Sequence, residues 1–365
     1  MAKTEGPRGS RAEERDEVVR LTDLVFRGSA DAVPSMQDHF PLLLGPGNLE
    51  NMRVILEDGQ VVSHLGIKEN EIWVHGARIK VASIGSVCTH PEHQGKGYAT
   101  ILLEDGFEHI RRRGGDLVLI SGARGLYRRA DCHPAGRYYQ VAVGPEDLKG
   151  KCVPEVTLRV AEKNDVTALT TCYRREPVRF RRPVEDFAVF LAALQRRRPG
   201  LELILCDGEM VGYLAHSVHK GKAEPWQGRV IEYAGSRAAV LAALGSLMER
   251  EELESVEFMV PAHDTETRMM LGVTGDVRPL PHHTLKVLDF ARMMKGLAPY
   301  IEDCLGTSVS FDAVNGTFRF QSGSGTHEVR GHSDLLQFLF GEVERPSPWS
   351  DVFPLDLPEP GLNYV

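Results

Sequence analysis

The chain has 365 residues, more than one compact domain of ordinary size accommodates, so two or three domains are expected. Its hydrophobic share of 42% is that of a globular protein, and the longest apolar stretches, such as 238–244, are far too short to span a bilayer. The formal net charge of −8 disfavours nucleic acid as a partner and suits a cationic one.

From the N-terminus, residues 1–17 alternate charges with Gly, Pro and Ser and lack an apolar core, which predicts a disordered tail over 1–15 and no signal peptide. A cytoplasmic protein follows from that reading. Six cysteines (Cys88, Cys132, Cys152, Cys172, Cys206 and Cys304) stand apart with no Cys-x-x-Cys pair, as free thiols in a reducing compartment do. Residues 18–44 read as helical with breaks, and 54–62 as a hairpin around Asp58-Gly59.

The apolar run 84–88 then leads into Gln94-Gly95-Lys96-Gly97-Tyr98-Ala99. A strand delivering a glycine-rich turn into a helix start aims backbone N–H groups at a phosphate, and the helix dipole favours an anion there. A P-loop is excluded because Lys96 is followed by Gly97 and no glycine stands at the upstream spacing. A dinucleotide fingerprint is excluded because the third glycine is replaced by Thr100. The order Gln-x-x-Gly-x-Ala points instead to coenzyme A. Ala99, Leu102, Leu103, Gly106, Phe107 and Ile110 keep helical spacing, Arg111 to Arg113 suit the helix end, and Gly114-Gly115 stops it. Residues 117–120 read as a buried strand, and Tyr127 begins a further helical turn. His90-Pro91-Glu92-His93 and His282-His283 lack further ligands, so no metal is expected.

Strand, Gln94-x-x-Gly97-x-Ala99, helix, strand, and a tyrosine in Tyr127-Arg128-Arg129 together resemble the GNAT acyltransferases. The resemblance implies that backbone amides of Val87, Cys88 and Thr89 hold the pantetheine arm. It implies that amides of Gln94, Gly95, Lys96, Gly97, Tyr98, Ala99 and Thr100 hold the pyrophosphate, and that Gly122 and Ala123 also touch the cofactor. Tyr127 falls where the family keeps the acid that protonates the departing thiolate. Asp131 stands where the family has glycine, so a positive φ is expected there. Cys88 is rejected as an acyl-accepting nucleophile because no paired histidine is evident.

The second part opens with a strand at 156–160 and a helix at 165–173, then a hairpin joined through Asp207-Gly208, a helix at 238–250 and a strand at 256–260. That order parallels the first part, yet no Gln-x-x-Gly-x-Gly/Ala occurs between Val156 and Leu280. The third part passes from a strand near His283 to a helix, then to a hairpin at Asn315-Gly316 and a helix over 334–340 capped by Ser333. A proline-rich tail ends Gly361-Leu362-Asn363-Tyr364-Val365.

This plan resembles the Eis (enhanced intracellular survival) acetyltransferases. The fold class implied is α/β (α+β), with two tandem GNAT-like mixed-sheet domains and a small sterol-carrier-like α+β domain. The boundaries are 16–150 for the active domain, 151–283 for a degenerate one, and 284–365 for the last with its returning tail. The resemblance assigns acetyl-CoA as donor, a primary amine of a small cationic or peptide substrate as acceptor, the C-terminal carboxylate of Val365 as general base, and homo-oligomers. Two alternatives remain: a lipid-binding protein with a vestigial transferase, and a longer-chain acyltransferase, since N-myristoyltransferases also pair two GNAT domains with a C-terminal carboxylate.

Overall fold

The computed structural model of the protein describes residues 3–197, 200–219, 226–273, 283–323 and 325–363. The chain forms two compact units: one holds the described residues of 1–135 and 281–355, the other those of 136–280 and 356–363. Among the described residues no helix is long and apolar enough to cross a membrane.

The first unit is built on a mixed sheet in the order Thr4–Gly9, Met52–Glu57, Gln60–Val74, Ala77–Thr89, Leu117–Ser121 and His283–Val287. Neighbours are antiparallel except Ala77–Thr89 and Leu117–Ser121, which run parallel. The Asp58-Gly59 turn has both residues at positive φ (47° and 85°), the geometry a two-residue hairpin requires. Helix Arg15–Arg27 lays Val18, Val19 and Leu21 on one side of the sheet with Leu43, Leu44 and Val54. Helix Tyr98–Arg112 covers the other side through Leu102, Leu103, Phe107 and Ile110, against Leu65, Ile67, Ile84 and Ile120. Each such fully buried Leu or Ile contributes about 1.5–3 kcal/mol.

The N-terminal residues depart from expectation. Thr4–Gly9 is an edge strand paired with Met52–Glu57, not a disordered tail. Its polar composition hides the reason, which is a set of ion pairs. Arg8 meets Glu5 and Glu14 at 2.7 and 2.6 Å, and the Lys3 amide donates to Asp58 at 2.8 Å.

The second unit carries a six-stranded sheet in the order Tyr138–Val143, Ser255–Pro261, Gln227–Gly235, Glu209–His219, Gly200–Cys206 and Thr157–Val160. Its pairings repeat those of the first: three antiparallel steps, one parallel step between Gln227–Gly235 and Ser255–Pro261, and a final antiparallel edge. The edge strands are exchanged along the sequence. Tyr138–Val143 follows the first unit's elements yet completes the second sheet, and His283–Val287 follows the second unit's yet completes the first. Helix Arg237–Glu251 fills the core with Val240, Leu244 and Leu247.

Within the first unit, helix Phe290–Leu305 packs with a three-stranded meander, Ser310–Val314, Thr317–Ser322 and Gly325–Arg330. The interior here is aromatic: Phe290, Phe318, Phe320, Phe338, Trp349 and Phe353 pack mostly edge-to-face or tilted, with ring centroids 4.8–6.2 Å apart. The following helix is His332–Phe340, so its cap is Gly331 at φ 82° and not Ser333.

Candidate active site

The parallel pair in the first unit opens into a cleft. Register between Ala77–Thr89 and Leu117–Ser121 runs from Val81↔Leu117 to Ile84↔Ile120 and ends there. On the other side, Gly85 faces Gly66 and Cys88 faces His64, which leaves Ser86 and Val87 in a bulge without cross-strand partners. Ser86 takes φ 53°, the local kink that lets the strand diverge. The C-terminal ends of diverging parallel strands are where α/β sheets place ligands.

The predicted phosphate turn closes that end. Gly95 and Gly97 hold φ 80° and 82°, a region open to glycine, and an added Cβ at either would meet nothing within 4 Å. Gly97 accepts from Thr100 and Ile101 as the helix begins. Among the described residues, the backbone amides of Gly95, Lys96, Gly97, Tyr98 and Ala99 have no acceptor. Five successive unpaired N–H groups at the start of a 15-residue helix form a ready anion cradle. Gln94 braces the turn by donating to the Thr89 carbonyl at 3.4 Å.

Sequence reasoning missed the residue that anchors this turn. Glu57, 7% exposed at the end of Met52–Glu57, accepts from Lys96 Nζ at 2.7 and 2.9 Å, from the Tyr98 hydroxyl, and meets His93 Nδ1 at 3.2 Å. Lys96, followed by Tyr98, holds the Glu57 carboxyl at about 2, well below the usual carboxylate range. Lys96 is thus occupied with Glu57, leaving the backbone to bind an anion. The sign follows from the lowered value: support for the turn is complete above the unfolded carboxylate value near 4.5 and is lost as pH falls toward 2. Glu57→Gln is expected to weaken acetyl-CoA binding roughly three- to tenfold at pH 7, measured by calorimetry, with the thermal midpoint little changed.

Tyr127 lies on the opposite wall, in helix Gly125–Arg129, 3% exposed and packed with Leu102 and Ile120. Its ring runs beneath the 122–123 loop, where a Cβ on Gly122 would meet Cε2 at 3.7 Å. Burial pushes the phenol above its ordinary value, with Arg124 opposing, so it keeps its proton at neutral pH. Arg124, also unforeseen, donates to the Val87 carbonyl at 3.3 Å and so bridges the two walls. Ala123 is exposed in the same loop. Asp131 takes φ 59°, as the glycine-substituting position required.

Cys88 does face a histidine: His64 lies directly across the strand pair, fully buried, with both ring nitrogens unpartnered. The histidine is a cross-strand neighbour, but its ring forms no hydrogen bond with the thiol. Burial drives the Cys88 thiol up to about 12 and His64 down to about 3, so neither charges near neutrality and a thiolate is not available. Val365 lies outside the described residues, but the tail is docked to Asn363, two residues before it. Among the described residues no group of three or more His, Cys, Asp and Glu side chains is arranged to hold a metal ion.

The second sheet diverges too, after Arg229↔Glu257, and a cavity of about 850 Å³ there is lined by Glu176, Gly235, Ser236, Arg237 and Asp264. Ser236 alone connects the strand to helix Arg237–Glu251, in place of a glycine turn. The Gly235 amide donates to Glu176 at 3.0 Å, and Arg237 pairs with Glu176 at 2.6 Å and with Asp264 at 2.9 Å. Two carboxylates sit where a phosphate would need the amide and the guanidinium.

Residues 7–135 match the family model described as an acetyltransferase (GNAT) domain. No curated protein matches the chain. Solved structures that resemble it include a GCN5-related N-acetyltransferase from Anabaena variabilis, with a TM-score of 0.64 and 14% identity over 100% of this chain and 96% of that one. Another from Kribbella flavida gives a TM-score of 0.61 and 16% identity, over 91% and 84% of the two chains. Eis1 from Mycobacterium abscessus gives 0.61 and 14%, over 97% of each. The chain therefore has a mixed α/β fold of GNAT type and carries a GNAT acetyltransferase domain. The protein is an enzyme of the acetyltransferase class, whose chemistry is acyl transfer from coenzyme A to an amine.

Proposed function

We propose that the chain is an Eis-type N-acetyltransferase that moves an acetyl group from acetyl-CoA directly to a primary amine. The observation that carries this reading is the cradle of unpaired amides from Gly95 to Ala99 at the mouth of diverging parallel strands. Pantetheine pairs with the strand at Val87, Cys88 and Thr89, the pyrophosphate sits on the turn, and Gly122 and Ala123 close over the thioester. The Val87 amide polarises the carbonyl, the amine attacks, and Tyr127 protonates the thiolate. The carboxylate of Val365 takes the proton from the amine.

The second unit is a degenerate GNAT-like domain in this reading, supported by its matching strand order and by the Glu176 and Asp264 carboxylates in its cleft. The part after residue 283 corresponds to a sterol-carrier-like domain without a lipid role, since its sheet face is packed with Phe318, Phe320 and Trp349. A small cationic amine suits the acidic chain.

Titration of acetyl-CoA into the purified protein, followed by rates with aminoglycoside, polyamine and peptide amines, tests the reading. Tyr127→Phe is expected to lower kcat about 10²-fold or more while leaving acetyl-CoA affinity within about twofold. Unchanged kcat in that variant would remove Tyr127 as the acid. Failure of the wild type to bind acetyl-CoA would sink the whole reading.

A further inference from the structure

At the inner end of the cleft the first unit keeps a cation that no described residue neutralises. Arg124 is exposed, and among the described residues its guanidinium has one hydrogen-bond partner, the neutral Val87 carbonyl at 3.3 Å, and one ring neighbour, Phe26 at 5.9 Å. This is unlike Lys96 at the outer end, whose charge Glu57 matches. It is also unlike Arg237 of the second unit, which two carboxylates hold. Beside Val87 stands Ser86, 8% exposed, whose hydroxyl is buried without a partner. A buried orphan hydroxyl is destabilising unless something satisfies it.

We propose that this end of the cleft takes a donor whose acyl group bears a second carboxylate, malonyl-CoA being the smallest, with Arg124 and Ser86 as its hydrogen-bond donors. The inference rests on the reading of the cleft as the coenzyme A site and names the donor class for it. When a pantetheine arm pairs with the strand at Val87, it competes with Arg124 for that carbonyl. The guanidinium is then released within reach of the acyl group, where a carboxylate supplies the charge-assisted pair it lacks. The transfer keeps its balance: an N–C bond forms as the C–S bond breaks, the amine proton goes to the base, and the thiolate takes one from Tyr127. The second carboxylate is a spectator throughout.

The test compares malonyl-CoA with isovaleryl-CoA, which replaces the carboxylate by an apolar group of the same shape. Coenzyme A itself serves as the reference ligand. All three are titrated into the full chain by calorimetry at low salt. The wild type is expected to bind malonyl-CoA at least about tenfold more tightly than isovaleryl-CoA. Arg124→Leu should bring that ratio to near one, and Arg124→Lys should keep part of the preference. Equal affinities in the wild type, a preference for isovaleryl-CoA, or a malonyl preference that survives Arg124→Leu would each overturn the inference while the coenzyme A reading stood. No binding of coenzyme A would overturn both.

Discussion

Replacing Arg182 by methionine is expected to remove about 3–5 kcal/mol of stability from the second unit and to free the C-terminal tail. The guanidinium has 0% exposed side chain and lies 4.0 Å from the Tyr173 ring centroid and 4.8 Å from that of Phe187. It donates to both oxygens of Glu232 at 2.7 and 2.8 Å and to Asn363 of the tail at 3.0 Å. Glu232 in turn accepts from the Tyr213 hydroxyl at 2.6 Å and the Leu362 amide at 3.0 Å. Methionine fills the space but leaves a buried carboxylate with two neutral donors, and the penalty is that uncompensated charge. Gly361 adds a geometric lock, since at φ 50° a Cβ there would meet Glu232 at 2.3 Å. Urea unfolding should show the lost stability, and a carboxypeptidase should then digest from Val365 past Asp356, where the wild type resists. Adding Glu232→Met to Arg182→Met should return part of the stability, because the stranded charge is gone, but not the tail protection, because Leu362 and Asn363 have lost their partners. Wild-type resistance to both denaturant and carboxypeptidase in Arg182→Met would mean that the network does not hold the tail.

Much of this architecture was legible because the signals are local. Asp58-Gly59, Asp207-Gly208 and Asn315-Gly316 each carry two positive φ values, as their dipeptides predict, and the apolar spacing from Ala99 to Ile110 marks the helix that covers the first sheet. What escaped the sequence is long-range. Nothing in Tyr138–Val143 says that it joins Ser255–Pro261 instead of Leu117–Ser121, because an apolar strand fits either edge. Glu57 and Lys96 are an acid and a base 39 positions apart, with no periodicity to connect them. Thr4–Gly9 reads as a solvated tail because its stabilising partners, Glu14 and Asp58, lie outside it. The site divides the same way. The turn was readable from glycine spacing, whereas Arg124 bridging to Val87 depends on how two strands part. The lack of a second glycine turn was readable as a missing motif, but the Glu176 and Asp264 carboxylates paired with the Gly235 amide and Arg237 were not.

Those carboxylates suggest the most direct challenge to the first unit's turn. Gly97→Glu is expected to lower acetyl-CoA affinity more than 100-fold. A Cβ at Gly97 meets nothing within 4 Å, so the longer side chain has open space beside the unpaired amides. There its carboxylate competes for the N–H groups and repels the pyrophosphate, much as Glu176 takes the Gly235 amide in the second unit. Backbone strain contributes separately, since φ 82° costs a non-glycine residue about 1–2 kcal/mol. Gly97→Ala isolates that strain and should weaken binding only about tenfold. The gap between the two variants, read by calorimetry on proteins of matched thermal stability, therefore measures the anion site itself. Similar affinities for alanine and glutamate would place the pyrophosphate elsewhere. A large gap that narrows as salt is raised would identify the turn by its charge preference, because two anions in one cradle repel less when screened.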